Sequence, residues 1–406
     1  MNPVVAFVVV MLVWTVSDFV AKRTKSLLSS LFVASIIFLV GFLSGIFPED
    51  LLQASSLLGL AGVVVGFVIV HLGTMISLDD FKRQWRTLLI GISAVVGIGG
   101  LLLLAAFVLG TDVTENEYGD IVATARDFAL AGTGALSGGT ISVLIVQEAA
   151  LGVGLTSIAI FPVLIAALQG LVGFPLTSII LRKEAARVRD AYRSGELELP
   201  AVPEDASEAP AQPVTRLPAA FQTTAGTLFV VGVVVAISIG INNLTDGVLN
   251  TFVMALIFGI LLRTTRVFKP SVLNGIDAFG LMMIAIMILV FGPLATVEVA
   301  DVAALAGPLV IVFVVGLAGM ALMSLIVGKL LGYTVSMSLA IGLTSLYGFP
   351  GTMVLSQEAA RGAGETPEET AAIEGNILPK MIVAGFSTVT ITSVVVTSMI
   401  VGGIGG

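Results

Sequence analysis

Twelve nearly unbroken apolar stretches follow one another along the chain. They lie at about 3–20, 30–47, 56–77, 87–110, 121–152, 156–181, 221–242, 246–262, 272–296, 302–331, 335–360 and 377–402. Their lengths centre on the roughly 20 residues that a helix needs to cross a hydrocarbon layer about 30 Å thick. Apart from the long interval 182–220, the polar intervals between them are short, and together the intervals carry most of the charge. The pattern therefore predicts helices crossing a membrane, joined by tight loops.

The loops assign sides. Lys and Arg gather in four clusters: Lys22, Arg23 and Lys25; Lys82, Arg83 and Arg86; Arg182, Lys183, Arg187, Arg189 and Arg193; and Arg263, Arg266 and Lys269. Cytoplasmic loops collect such residues. With the first cluster inside, the acidic loop 111–120 falls outside, and stretch 156–181 must start outside to deliver Arg182 inside. Stretch 121–152 then begins and ends on one face, so it is expected to be a re-entrant hairpin. By the same argument stretch 335–360, followed by Arg361, enters and leaves from the inner face. Ten spans and two hairpins result, five plus one in each half.

An odd number of crossings inverts the second half relative to the first, which is the inverted-topology plan of many carriers. The expected fold class is an all-α integral membrane protein of two such repeats. The first repeat is 1–182 (hairpin 121–152) and the second is 218–406 (hairpin 335–360). Segment 183–217 is the cytoplasmic linker, Pro-, Glu- and Ala-rich beyond its basic start and unable to bury a core. The plan makes a multi-pass plasma (inner) membrane protein with both termini outside. No basic region precedes the first apolar run, so that run is expected to be retained.

One phrase occurs twice. Ser137-Gly138-Gly139-Thr140 leads to Gln147-Glu148-Ala149-Ala150, and Gly348-Phe349-Pro350-Gly351-Thr352 leads to Gln357-Glu358-Ala359-Ala360. Each is a Gly-rich break in an apolar stretch, at matching positions of the two halves. Broken helix at membrane depth is tolerated only where protein or a water-filled cavity covers it. A helix restarting after a break presents unpaired N–H groups and the positive end of its dipole, which suits an anion. The candidate substrate-binding residues are thus Ser137, Gly138, Gly139, Thr140, Gly348, Pro350, Gly351 and Thr352. Further ion or substrate ligands are expected among Leu136, Ser142, Ser345, Leu346, Gln147, Glu148, Gln357, Glu358 and Asn376. The carbonyl ends near Leu136 and Leu346 suit Na⁺. Against this stands plain small-residue packing of helices. For Glu148 and Glu358 the alternative is an interfacial charge capping the hairpin. For His71, the single histidine, a packing role competes with proton relay.

Composition narrows the function classes. Hydrophobic residues make up 57 % of the chain and charged residues 11 %, against about 25 % charged in soluble domains. Mean hydropathy is +1.08. No cysteine is present, so thiolate metal sites and cysteine nucleophiles are excluded. Neither an HExxH nor a GxSxG motif occurs, so no enzyme activity, catalytic residue or cofactor is expected. A net charge of −8 in a lipid-embedded chain gives no reason to expect nucleic acid as a partner.

The ten-span plan, a hairpin before each fifth span and the charged linker resemble the glutamate:sodium symporter family, related in plan to citrate-type 2-hydroxycarboxylate carriers. Leu136-Ser137-Gly138-Gly139 resembles their Gly-Gly-rich hairpin tip. The tips depart from that pattern at Thr140-Ile141 and at Phe349-Pro350. The resemblance implies a sodium-coupled symporter of a small organic anion, glutamate or a similar acidic amino acid or carboxylate first. It also implies Na⁺ as coupling ion, an elevator-like alternating-access motion and a homodimer. The competing readings are a proton-coupled carrier of another substrate and an ion channel.

Overall fold

The structure is a computed structural model and describes residues 1–75, 82, 84–109, 114–115, 121–197, 215–218, 221–245, 249–274 and 279–405. Arg83, most of the loop 111–120, linker positions 198–214 and Asp277 lie outside the described residues, as does the side chain of Thr140.

The described chain is helical apart from one two-rung ladder. The first half contains α1 (Pro3–Arg23), α2 (Ser30–Leu43), the single turn α3 (Leu51–Ala54), α4 (Leu57–Met75) and α5 (Trp85–Leu109). Strands β1 (Thr114–Glu115) and β2 (Ile121–Val122) pair antiparallel. The helix pair α6 (Ala125–Leu136) and α7 (Thr140–Gly152) follows, then the 38-residue α8 (Thr156–Arg193). The second half contains α9 (Thr224–Leu244), α10 (Thr251–Thr264), α11 (Phe279–Ile288), α12 (Val299–Leu330) and a second helix pair, α13 (Val335–Leu343) with α14 (Gly348–Ala363). It ends with α15 (Pro367–Ser387), a π-helical turn (Thr388–Thr392) and α16 (Ser393–Ile400).

Seven of these helical segments, among the described residues, are long and apolar enough to cross a membrane. They account for seven of the ten expected spans. The other three are α2 and α10, of 14 residues each, and the last, which is relayed from α15 to α16 through the π turn. At 1.5 Å per residue the two 14-residue helices reach about 21 Å.

Local chemistry places the helix starts where the polar residues sit. Asn2 accepts from the N–H groups of Val4 and Val5, ahead of Pro3 at the first helical position. Ser29, Thr223, Asn250, Thr334 and Thr366 cap their helices in the same way. Thr124 and Asp127 form a reciprocal capping box at α6, an arrangement that satisfies two otherwise unpaired donors. The Asp127 carboxylate also accepts from the Gly405 N–H at 2.8 Å, tying the end of the chain to the first helix pair.

Between helices the close approaches are made by glycine. A Cβ on Gly97 of α5 would run into the Gly319 carbonyl of α12, and one on Gly319 into the Gly97 carbonyl. α4 and α10 meet in the same reciprocal way at Gly73 and Gly259. Without a hydrophobic drive between helices in lipid, such backbone-to-backbone packing is what holds a bundle together.

Two polar intervals between the apolar stretches turn out to be helix at least in part. Residues 183–193, read as the start of the linker, continue α8. The polar segment 363–376 is mostly the first turns of α15, capped by Thr366 with Pro367 at its first position. The α8 extension grips both ends of the second helix pair. Buried Glu184 accepts from the Thr334 hydroxyl at 2.7 Å, at the start of α13. Arg193 pairs with Glu369 at 2.7 Å and Glu365 at 2.8 Å, just past the end of α14. The Arg193 guanidinium, together with the Glu365 N–H, holds the Glu369 carboxyl at about 2.

Candidate functional site

The two breaks meet. Gly138 lies in the left-handed region (φ +77), and a Cβ there would collide with the Ser345 carbonyl of the second break. Only glycine occupies that conformation freely, and only glycine leaves room for that carbonyl. Gly348 at the second break is also left-handed (φ +53). Val389, in the π turn, packs against Gly138, Gly139 and Gly348 together. Residues more than two hundred positions apart in sequence thus share one buried junction.

Each tip is bonded to the segment that closes the other half. The first tip rests on the last helical segment: Ser393 Oγ lies 2.9 Å from Ser137 Oγ and also bonds Ser142 Oγ. The second tip rests on α8: Tyr347 donates its hydroxyl to Thr177 at 2.9 Å, and its ring lies 5.4 Å from that of Phe174. A π turn lies beside both tips, a feature that recurs at functional sites.

Both tips open on one cavity of about 450 Å³, within the 300–1,000 Å³ usual for small-molecule sites. Gly138, Gly139 and Val143 line it from the first break, and Leu346, Tyr347, Phe349 and Pro350 from the second. The remaining wall includes Ser35, Gln169, Phe174, Phe252 and Val290. Among the described residues, none that lines the cavity is charged. Gln169 is 8 % exposed, and its Oε1 has no hydrogen-bond partner.

The helices that restart at the breaks have no side-chain caps. Gly139, which precedes α7, offers none. At the second break Phe349 is extended (ψ 140), so regular helix resumes at Pro350 with an apolar residue before it. Two helix N-termini without side-chain acceptors therefore flank one cavity, each carrying about half a positive charge.

Most of the sequence-predicted tip residues come together here. Leu136, Ser137, Ser142, Ser345, Leu346, Pro350, Gly351 and Thr352 are all buried at or beside the junction. The Oγ of Ser345 and the Oγ1 of Thr352 are buried without partners. The Gln-Glu pairs and Asn376 do not join them and do not line the cavity. Glu148 is exposed and Gln147 half-exposed. Gln357 donates to Glu374 at 3.1 Å. The Glu358 carboxylate accepts from the N–H of Ser30, at the start of α2, at 3.1 Å and from the Ser30 hydroxyl. It is thus a remote cap on another helix. Asn376 accepts from Lys380 at 2.7 Å within α15. His71 accepts the Leu273 N–H on Nδ1 at 3.0 Å with its ring against Phe279, the geometry of a packing residue.

Sequence reading missed Gln169, Ser393, Tyr347 and Phe174. A signal existed for Gln169, a lone amide in the apolar run Leu164–Val172, because polar side chains at membrane depth are rare and functional. None existed for Ser393, one hydroxyl among many in the last span. No protein-family model matches the chain, and no curated protein matches it.

Proposed function

We propose that the chain is a sodium-coupled secondary transporter of a small carboxylate-bearing solute, working by alternating access. The observation that carries this reading is the junction of the two breaks on one uncharged cavity. Two helix–break–helix units occupy the same place in the order of the two halves, and the tip of each hydrogen-bonds to the closing segment of the other half. That is the arrangement expected of two re-entrant hairpins in inverted repeats around a shared site.

In this reading the cavity-facing helix N-termini at Gly139 and Pro350 receive the carboxylate. Na⁺ sits among neutral oxygens close by, offered by the Ser345 carbonyl and hydroxyl, the Thr352 hydroxyl and the Ser137–Ser142–Ser393 triad. The unpartnered Ser345 and Thr352 hydroxyls support this, since buried oxygens without partners are costly unless a ligand satisfies them. The helix pairs move with their substrate against α1, α2, α4, α9, α10 and α11, elevator-fashion, with the basic end of α8 on the cytoplasmic side and the non-hairpin helices pairing in a homodimer.

Uptake into proteoliposomes tests the reading, with imposed Na⁺ or H⁺ gradients and a panel of labelled amino acids and di- and tricarboxylates. Na⁺-driven accumulation above equilibrium is expected. Accumulation driven by H⁺ alone replaces the coupling ion. Flux that follows voltage without accumulation rejects the transporter in favour of a channel.

A further inference from the structure

The cavity's chemistry narrows the solute beyond the acidic substrate that the sequence suggested. Resting on the transporter reading above, we infer that this site takes a zwitterionic α-amino acid with an apolar side chain, and discriminates against dicarboxylates and tricarboxylates.

Three observations converge. First, the positive potential available is small. Among the described residues the lining contains no Lys, Arg or His, and the two helix N-termini at Gly139 and Pro350 together supply about one positive charge. That matches one carboxylate. A second carboxylate would find no cationic side chain in the described lining, and the coupling Na⁺ is already held among neutral oxygens, so that carboxylate would lack a partner of its own, which is unfavourable.

Second, a residue of the cavity wall carries an acceptor without a donor. Gln169 Oε1 is buried and unpartnered. Ser35 lines the same cavity and donates its hydroxyl proton to the Leu31 carbonyl at 2.8 Å. Its oxygen lone pairs therefore remain for an incoming N–H. An α-ammonium supplies the donors that both groups lack. Carboxylate at the helix ends and ammonium at Gln169 is the polarity of an amino acid backbone.

Third, the rest of the wall is apolar and aromatic. Phe174, Phe252, Phe349, Val143, Leu289 and Val290 all face the space. Such a wall favours a branched or aromatic side chain by burying it and offers a carboxylate or ammonium side chain no partner.

The test uses the full chain in proteoliposomes with an inward Na⁺ gradient and labelled L-phenylalanine, L-leucine, L-glutamate and citrate. Binding of the unlabelled compounds is read in parallel by calorimetry on the detergent-solubilised protein. Phenylalanine or leucine is expected to enter at least tenfold faster than glutamate or citrate. 3-Phenylpropionate, which lacks the ammonium, and phenethylamine, which lacks the carboxylate, should each compete at least tenfold more weakly than phenylalanine. Gln169→Leu should raise KM for phenylalanine about tenfold with an unchanged melting midpoint, and leave competition by 3-phenylpropionate as it was.

Faster entry of glutamate or citrate overturns the inference and leaves the transporter standing. Binding of phenylalanine without uptake upholds the substrate class and removes the transport reading. Folded protein that neither binds nor moves any of the four overturns both.

Discussion

The same phrase sits in two unlike settings. At the first break the hydroxyls of Ser137 and Ser142 are satisfied: both share Ser393, and Ser137 also donates to backbone carbonyls of its own helix. At the second, Ser345 and Thr352 keep buried oxygens without partners. Their tails differ in the opposite sense. Glu148 of the first copy is exposed, whereas Glu358 and Gln357 of the second are tied to α2 and α15. The first copy pairs the hydroxyls of Ser137 and Ser142 and leaves Glu148 exposed, whereas the second leaves the hydroxyls of Ser345 and Thr352 without partners and ties down Gln357 and Glu358. The two phrases share the break, which needs backbone freedom, and differ in the use made of the side chains around it.

The largest effect is expected where the two copies touch. Gly138→Val forces a branched side chain into a left-handed backbone and against the Ser345 carbonyl. The backbone strain alone is worth about 1–3 kcal/mol. Uptake should fall more than tenfold, and the melting midpoint in detergent should drop. Gly154 has a similar φ of +79 but open space around it, so Gly154→Val carries the strain without the collision. Equal losses in the two variants would mean that the junction itself contributes nothing.

A middle-sized effect should separate the tails. Glu358→Ala removes the acceptor for two donors at the start of α2 and should destabilise the protein by about 1–2 kcal/mol. Glu148→Ala, at an exposed position, should stay within about 0.5 kcal/mol. Reversible unfolding in mixed detergent measures both. Similar costs would erase the contrast drawn between the two copies.

The smallest effect concerns the grip of α8 on the second helix pair. Glu369 is held at about 2, below its ordinary 4.5, chiefly by Arg193. A carboxyl depressed on folding stabilises the fold fully above its unfolded value and loses that contribution as pH falls through the folded one. The melting midpoint should therefore decline between about pH 4.5 and pH 2, and less steeply in Arg193→Gln. Parallel pH profiles of the two proteins would show that the ion pair is not coupled to folding.

Some of this was legible in the sequence because it depends on local composition. Apolar runs of about 20 residues gave helices such as α1, α4, α5 and α12. The glycine-rich interruptions at 137–139 and 348–351 are real breaks, because runs of glycine and an internal proline disfavour continuous helix wherever they occur. Polar segments were read less well. Residues 183–193 and 367–376 look like linker by charge, yet they are helical, because Glu184, Arg193 and Glu369 find partners on other elements. No reading of a single segment reveals such partners.

What the sequence by itself determined is the list of helices, their order and the places where two of them break. These follow from short-range rules on hydrophobicity, capping and backbone freedom. The tertiary structure alone decided that the breaks meet at Gly138 and Ser345, that Ser393 and Tyr347 seat them on opposite helices, and that Gln169 rather than either glutamate faces the cavity. Those facts arise from which helices pack together, and packing is set by contacts between residues far apart in the chain, where no local pattern reaches.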